Sequence, residues 1–315
     1  MRILFMGTPD FAVTILKKLV DEGLDIVGVI TAPDKPAGRG QKIRKSAVKV
    51  YAEEASLNIL QPTNLKDEDF IQELTALKVD LQVVVAFRML PEMVWNMPPL
   101  GTINLHASLL PQYRGAAPIN WAIMNGEKET GVTTFYIEQE IDTGAVIEQE
   151  KVQITPEDTA GSLHDKLMHL GARLTYRSVL KIIDGTAPRK LQTQLFENES
   201  DLKAAPKIFK PDCQIRFDMD RATVINKIKG LSPYPTAWIQ INHLETDQSK
   251  TCKIFDAVPS ERSLLLNQIE VFENRLFFGT KNGSIEILEL QLEGKKRMPL
   301  KDLFNGFDFS EWKLV

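Results

Sequence analysis

The stretch Asp80-Leu81-Gln82-Val83-Val84-Val85-Ala86-Phe87, "DLQVVVAF", decides the fold. Successive residues of a strand point to opposite faces, so a half-exposed strand alternates polar and apolar side chains. This run is apolar on both faces, and both must be covered, which is the situation of a central parallel strand. Working outward, "RILFMG" (2–7) is another buried strand, and "FAVTILKKLVDEG" (11–23) has helical apolar spacing ending at a glycine. "DIVGVITA" (25–32) is a strand, "AVKVYAEEAS" (47–56) and "DEDFIQELTALK" (67–78) are helical, and "GTINLHAS" (101–108) is the next strand. A long helical stretch at 159–185 closes the series. Helix and strand in alternation predict an α/β fold, a doubly wound, Rossmann-like open sheet.

At 315 residues the chain is too long for one small domain, and two is the default count. The segment "PRKLQTQLFENESDLKAAPK" (188–207) has no sustained apolar period and reads as a linker. Beyond it come "CQIRFDM", "AWIQINH", "TCKIFDAV" and "NRLFFGTKNGSIEILELQL", mostly strands with one helical stretch at 221–229. Asn282-Gly283 between alternating apolar positions is a hairpin signal. The expected division is therefore 1–188 for the sheet domain, 189–207 for the linker and 208–315 for a small C-terminal β-barrel.

Composition narrows the function classes. No apolar run approaches a membrane span, and "MRILFMGTPDF" has one basic residue and no small-residue cleavage pattern, which reads as the first core strand of a cytoplasmic protein. Cys213 and Cys252 are the only cysteines, so no disulfide framework is expected. His106, His164, His169 and His243 fall in no metal-ligand spacing, and with no CxxC or HExxH no metal is expected. Residues 206–315 hold 16 basic against 15 acidic side chains, and the remainder 22 against 27, so the chain is no blanket polyanion binder. One segment differs. "PDKPAGRGQKIRKSAVK" (33–49) holds six basic residues and one acidic, with two glycines and two prolines in its first eight positions. It reads either as a solvated loop or, leaving the carboxyl end of the second strand, as an arm that grips a phosphate backbone through Arg39, Lys42, Arg44 and Lys45.

In doubly wound sheets ligands bind outside the carboxyl ends of the strands. Residues 87–91 and 104–111, which follow "VVVAF" and lie in "NLHASLLP", would line that crevice. Asn104 and His106 are two apart and so share a face. They are either a satisfied polar pair or a working pair. "EQEIDTG" (138–144) is a turn signal in its own right, and it also offers Asp142 as a partner for His106. A carboxylate beside a histidine fixes its tautomer and suits it to acid–base work, and an asparagine amide can hold a developing oxyanion. With no GxSxG context for Ser108, this set suggests direct transfer to an amine rather than a hydrolase.

"INLHASLLPQYRGAAPINWAI" (103–123) with "ETGVTTFYIEQEIDTG" (129–144) resembles the signature of the folate-dependent formyltransferases. "MRILFMGTPDFA", "DKPAGRGQK" and "LSPYPTAW" (231–238) narrow the resemblance to members acting on charged tRNA. It implies 10-formyltetrahydrofolate as formyl donor, initiator methionyl-tRNA as acceptor, and a monomer with an OB-like C-terminal domain contacting tRNA. It also places the catalytic roles on Asn104, His106 and Asp142, and the folate contact of the "SLLP" motif on Ser108, Leu109, Leu110 and Pro111. Where many members carry an aromatic-glycine pair, this chain has Phe87-Arg88-Met89-Leu90-Pro91 as the wall of the pterin pocket, with Arg88 either a folate contact or a surface charge. The competing readings are formyl transfer to glycinamide ribonucleotide or to an amino-sugar nucleotide, a nicotinamide-dependent oxidoreductase and a non-catalytic tRNA binder. "FMGTPDFA" lacks GxGxxG, which weighs against the oxidoreductase, and occupation of all three catalytic positions weighs against the non-catalytic binder.

Overall fold

The run at 81–85 is buried at every position and lies inside a seven-stranded sheet, as its two apolar faces require. The structure, a computed structural model, describes residues 1–37 and 42–315. They form two compact units: Met1–Gly115, Thr130–Val152 and His164–Ala204 make one, and Ala116–Glu129, Gln153–Leu163 and Ala205–Val315 make the other.

The strands of the first unit are β1 (Ile3–Gly7), β2 (Ile26–Ile30), β3 (Lys35–Ala37), β4 (Lys42–Arg44), β5 (Ile59–Leu60), β6 (Leu81–Val85), β7 (Thr102–His106), β8 (Arg114–Gly115), β9 (Glu129–Tyr136) and β10 (Val146–Gln153). The main sheet runs β10-β9-β7-β6-β1-β2-β5. β7, β6, β1, β2 and β5 are parallel, and β9 joins β7 antiparallel. From β1 the chain winds outward to β2 and β5, then returns to the other side of β1 to lay down β6 and β7. That reversal opens a crevice at the carboxyl ends of β1 and β6.

The helices up to residue 183 are α1 (Asp10–Asp21), α2 (Ala47–Glu54), α3 (Glu68–Ala76), α4 (Glu92–Trp95), α5 (Pro118–Met124), which falls in the second unit, and α6 (Ala160–Ile183). α1 starts three residues after β1, and a Cβ on Gly7 would stand 2.6 Å from that of Ala12, so only glycine lets the helix begin so close. The side chains of Ser46 and Asp67 cap α2 and α3 by accepting from Lys49 N–H and Phe70 N–H. In the sheet the expected strands and helices are present with ends within two residues of expectation, but the strand expected at 213–219 is not: Pro211–Cys213 form a 3₁₀ turn, and only Gln214 makes a single bridge, to Trp238.

Two boundaries differ from expectation. Residues 189–207 do not run free as a linker. Lys190 exchanges backbone hydrogen bonds with Val146 at 2.8 and 3.0 Å, Leu195 packs on Leu110, Phe135 and Val146, and Gln192 is only 2% exposed. The anchors are single side chains, which leave no period for a pattern reading to find. Residues 116–129 and 153–163, expected in the 1–188 domain, belong instead to the second unit. There Asn120 donates its side-chain amide to the Gly230 carbonyl at 2.7 Å, and a side chain at Gly230 would meet the backbone of Asn120 and Met124.

The second unit adds β11 (Ala204–Ala205, of which Ala205 opens this unit), α7 (Arg221–Leu231), β12 (Ala237–His243), β13 (Ser249–Ser260), β14 (Ile269–Phe272), β15 (Arg275–Thr280), β16 (Gly283–Leu292), β17 (Met298–Pro299), α8 (Leu300–Leu303) and β18 (Trp312–Leu314). Its sheet, β14-β15-β16-β13-β12-β18, is a nearly closed antiparallel barrel, the OB-like form expected. Val224, Ile225, Ile228 and Leu231 of α7 close its core against residues such as Ile239, Ile254 and Ile287. The hairpin at 282–283 is present, but Thr280 pairs with Gly283, so Lys281 and Asn282 form its tip. Asn282 accepts from Arg221 N–H at 2.7 Å and thereby caps α7.

Candidate active site

β7 ends at the crevice and presents Asn104 and His106 on one face. In register, Asn104 stands between Val84 and Phe135, and His106 opposite Thr133. His106 is 6% exposed, and its Nε2 lies 2.8 Å from the Tyr113 carbonyl. A carbonyl only accepts, so the ring proton is on Nε2 and Nδ1 carries the lone pair. That lone pair faces Asp142, whose Oδ2 is 3.7 Å away. The separation is too long for a direct hydrogen bond and leaves Nδ1 free for a proton arriving from a substrate.

Asp142 reaches this place from a turn in which its own φ is +57°, a left-handed conformation that aspartate tolerates better than most residues. Gly115 N–H donates to its Oδ2 at 2.9 Å. Asn104 is half-buried, and among the described residues no hydrogen-bond partner takes its side-chain amide. Asn104, His106 and Asp142 thus all stand at this end of the sheet.

The expected folate contacts divide. The Ser108 side chain is fully buried and donates to the Gln112 carbonyl at 2.6 Å, while Leu110 and Pro111 are buried and Leu109 is half-buried. Their side chains hold the loop; its backbone is what remains for a ligand. The loop is braced from below by Thr133. Its fully buried hydroxyl accepts from Leu110 N–H (3.1 Å) and from the Gln149 amide (2.9 Å), and donates to the Ser108 carbonyl (2.7 Å). On the other wall Phe87 packs against the core beside β6 and Leu90 is buried, whereas Met89 is 75% exposed. Arg88 donates to the Thr63 carbonyl at 2.9 Å and to that of Pro62, so its guanidinium ties the loop after β6 to the loop after β5.

Sequence reasoning missed Thr133, Gln149, Arg114 and Gln192. Arg114 donates Nε and Nη2 to Gln192 Oε1 at 3.0 and 2.6 Å, and Gln192 Nε2 donates to the Asp142 and Gly144 carbonyls at 2.8 and 2.9 Å. Arg114 and Thr133 lie within the two quoted motifs, but nothing in the pattern of 188–207 marks Gln192.

Of the basic loop, Arg39 lies outside the described residues. Lys42 is in β4, which pairs with β3 as a short hairpin. Arg44 is exposed and has no ion-pair partner among the described residues, whereas Lys45 is engaged by Glu53 at 2.7 Å. At the root of the hairpin the Gln61 amide and the Lys49 ammonium hold the Asp34 carboxyl below its usual range. Among the described residues no group of three His, Cys, Asp or Glu could hold a metal ion, and no helix is long and apolar enough to cross a membrane.

Fold and site together define a doubly wound α/β protein of the group-transfer class, with an asparagine amide and an imidazole–carboxylate pair at the carboxyl edge of its sheet. Residues 1–179 match the family "Formyl transferase" and residues 207–308 match "Formyl transferase, C-terminal domain". The chain belongs to the formyl transferase family. It is 50% identical over 313 residues to the methionyl-tRNA formyltransferase of Flavobacterium johnsoniae, covering 99% of this chain and 98% of that protein. It is likewise 50% identical to that of Bacteroides fragilis, covering 99% and 96%. Among solved structures, the N-formyltransferase from Helicobacter canadensis in complex with folinic acid and dTDP-3-aminofucose superposes with a TM-score of 0.64. It covers 94% of this chain and 99% of that one at 21% identity, a likeness of fold.

Proposed function

We propose that this chain transfers the formyl group of 10-formyltetrahydrofolate to the α-amino group of methionine on charged initiator tRNA, giving formylmethionyl-tRNA. The observation that carries this reading is the full-length 50% identity to proteins named for that reaction, in a chain with Asn104, His106 and Asp142 at the carboxyl edge of its sheet. The amine nitrogen attacks the formyl carbon, and the carbonyl electron pair moves onto oxygen, where the Asn104 amide stabilises it. A free α-amino group has a pKa of about 7.7–8.0, so only a modest fraction must lose a proton before attack. His106 Nδ1 takes the proton released from the amine as the new C–N bond forms, and Asp142 faces the charge that appears on the ring. The adduct collapses, the bond from the formyl carbon to N10 breaks, and N10 leaves with the electron pair and a proton returned through His106. No step needs a metal.

The backbone of Ser108–Pro111 and the wall from Phe87 to Leu90 frame the folate, with Arg88 holding that wall together. Arg44, free of ion pairs among the described residues, with Lys42 and Arg39, is assigned to the tRNA backbone, and Lys45 less so because Glu53 holds it. In this reading the first unit, with most of 189–207 packed into it, carries the chemistry and the barrel of 208–315 contacts tRNA, in a cytoplasmic monomer. The test is an assay offering one formyl donor to charged initiator tRNA, glycinamide ribonucleotide and an amino-sugar nucleotide separately. Formylation of the tRNA alone is expected. No formylation of the tRNA refutes the reading.

A further inference from the structure

We infer that Gln192 is a positioning residue for this reaction, setting where the Asp142 carboxylate stands against His106; the inference rests on the function proposed above. Gln192 has one amide group, and every hydrogen-bonding position on it is used. Its two N–H bonds go to the Asp142 and Gly144 carbonyls, and its oxygen takes two N–H groups of Arg114. It is 2% exposed, so water cannot replace those partners.

The geometry makes the turn depend on this staple. Residues 138–141 are exposed, Asp142 and Thr143 are half-buried, and Gly144 is buried against Tyr136, where a Cβ would stand 1.8 Å from the Tyr136 carbonyl. The turn therefore meets the body of the unit just where Gln192 grips it. On the far side of Gln192, Arg114 immediately precedes Gly115, whose N–H holds Asp142 Oδ2. One side chain thus ties the backbone of the aspartate to the residue beside the donor that aims its carboxylate. Tyr113, next along the chain, gives His106 the carbonyl that fixes its tautomer. Asp142 and His106 are consequently positioned by one continuous set of residues, 113–115 with 192. Without the amide donors the turn loses its fixed place, and Asp142 drifts relative to the 3.7 Å that now separates it from Nδ1.

The experiment compares Gln192→Met, which keeps the volume and removes all four bonds, with Gln192→Glu, which keeps the acceptor for Arg114 and loses the donors. Misplacement by about 1 Å costs on the order of 10²-fold in rate. Each variant should lose about that factor in kcat, with KM for the formyl donor and for charged tRNA within about twofold of wild type. In an Asp142→Ala background the same substitutions should add less than about twofold, because their effect passes through Asp142. Hydrogen exchange provides a reading that needs no turnover: amides of 142–145 should exchange at least about tenfold faster in Gln192→Glu, while those of β7 stay unchanged. If Gln192→Met fails to fold, Gln192→Glu carries the comparison. Unchanged exchange at 142–145, or an equal loss of kcat with and without Asp142, overturns the inference. Wild-type protein that does not formylate tRNA refutes the proposed function instead, and the exchange measurement still judges Gln192.

Discussion

Replacing Thr133 by Val tests whether the loop at 108–111 is held by hydrogen bonds or merely by packing. The substitution keeps the branched shape and removes the hydroxyl, which is buried and makes three hydrogen bonds. Gln149 loses one acceptor but retains the Leu110 carbonyl at 2.7 Å. The Leu110 N–H loses its acceptor, and the Ser108 carbonyl loses the donor that Thr133 supplies. A buried polar group left unmade costs about 1–3 kcal/mol, and the better strand preference of valine returns only tenths. With two groups left unpaired the net loss is about 2–6 kcal/mol. For a unit of this size each kcal/mol lowers Tm by about 2–4 °C, so a fall of about 4–24 °C is expected. Scanning calorimetry is the suitable assay, because two compact units can melt separately and a single fitted transition would mix them. The control is Thr133→Ser, which keeps the hydroxyl and loses one methyl, at a cost of about 1 kcal/mol. Packing alone predicts that serine is the worse replacement, and hydrogen bonding predicts that valine is. A Thr133→Val protein melting at or above the temperature of Thr133→Ser refutes the reasoning.

His106→Ala should lower kcat by about 10²–10⁴, and Asn104→Ala by about 10²–10³, with folate affinity retained in both; steady-state kinetics with a separate folate titration checks this. Arg44→Ala should weaken charged-tRNA binding and reduce the slope of log K against log salt by roughly 0.7–0.9, whereas Lys45→Ala, already committed to Glu53, should change it less. Equal slopes for wild type and Arg44→Ala remove Arg44 from the interface. Burial raises the Asp256 carboxyl above its usual range, with Lys229 opposing. A raised folded-state value means that ionisation disfavours the fold, so stability is greatest below the unfolded pKa of about 3.9 and is lost as pH rises through the folded value. Asp256→Asn should therefore gain on wild type between about pH 4 and neutrality and not at about pH 3. The same gain at both pH values, read from Tm of the second unit, would contradict it.

The sheet was legible because its pattern is extended and redundant. β1 and β6 are buried at all five positions each, and only a central strand tolerates that, so the sequence of apolar runs carries the winding order almost unaided. The unit boundaries were not legible, because they depend on which side chain reaches which backbone. Asn120 and Gly230 are 110 residues apart, and neither the helical spacing of α5 nor that of α7 announces the 2.7 Å bond that joins them. The segment 189–207 fails for a related reason. Its polar composition is that of a linker, yet Gln192 is buried because three partners consume all of its hydrogen-bonding capacity, and such matching is invisible to composition. At 282–283 a correct hairpin signal still misplaces the tip by one residue, since Asn282 is recruited to the first N–H of α7.

At the site the same distinction separates working groups from scaffolding. Asn104, His106, Ser108, Thr133 and Gln192 are all polar residues at or below the crevice, and their types alone do not rank them. What ranks them is whether the protein has already used their hydrogen bonds. Ser108 has spent its hydroxyl proton on the Gln112 carbonyl and is fully buried, and Thr133 and Gln192 have spent all their bonds within the chain, so each stabilises a loop. The Asn104 amide has no partner among the described residues, and His106 has one nitrogen bonded to Tyr113 and the other facing only Asp142 across 3.7 Å. Leaving such groups unpaired near the interior is unfavourable unless a ligand completes them. The two-residue spacing on β7 places Asn104 and His106 together, and the count of bonds already made is what separates them, as the proposed catalytic pair, from the serine of the neighbouring motif.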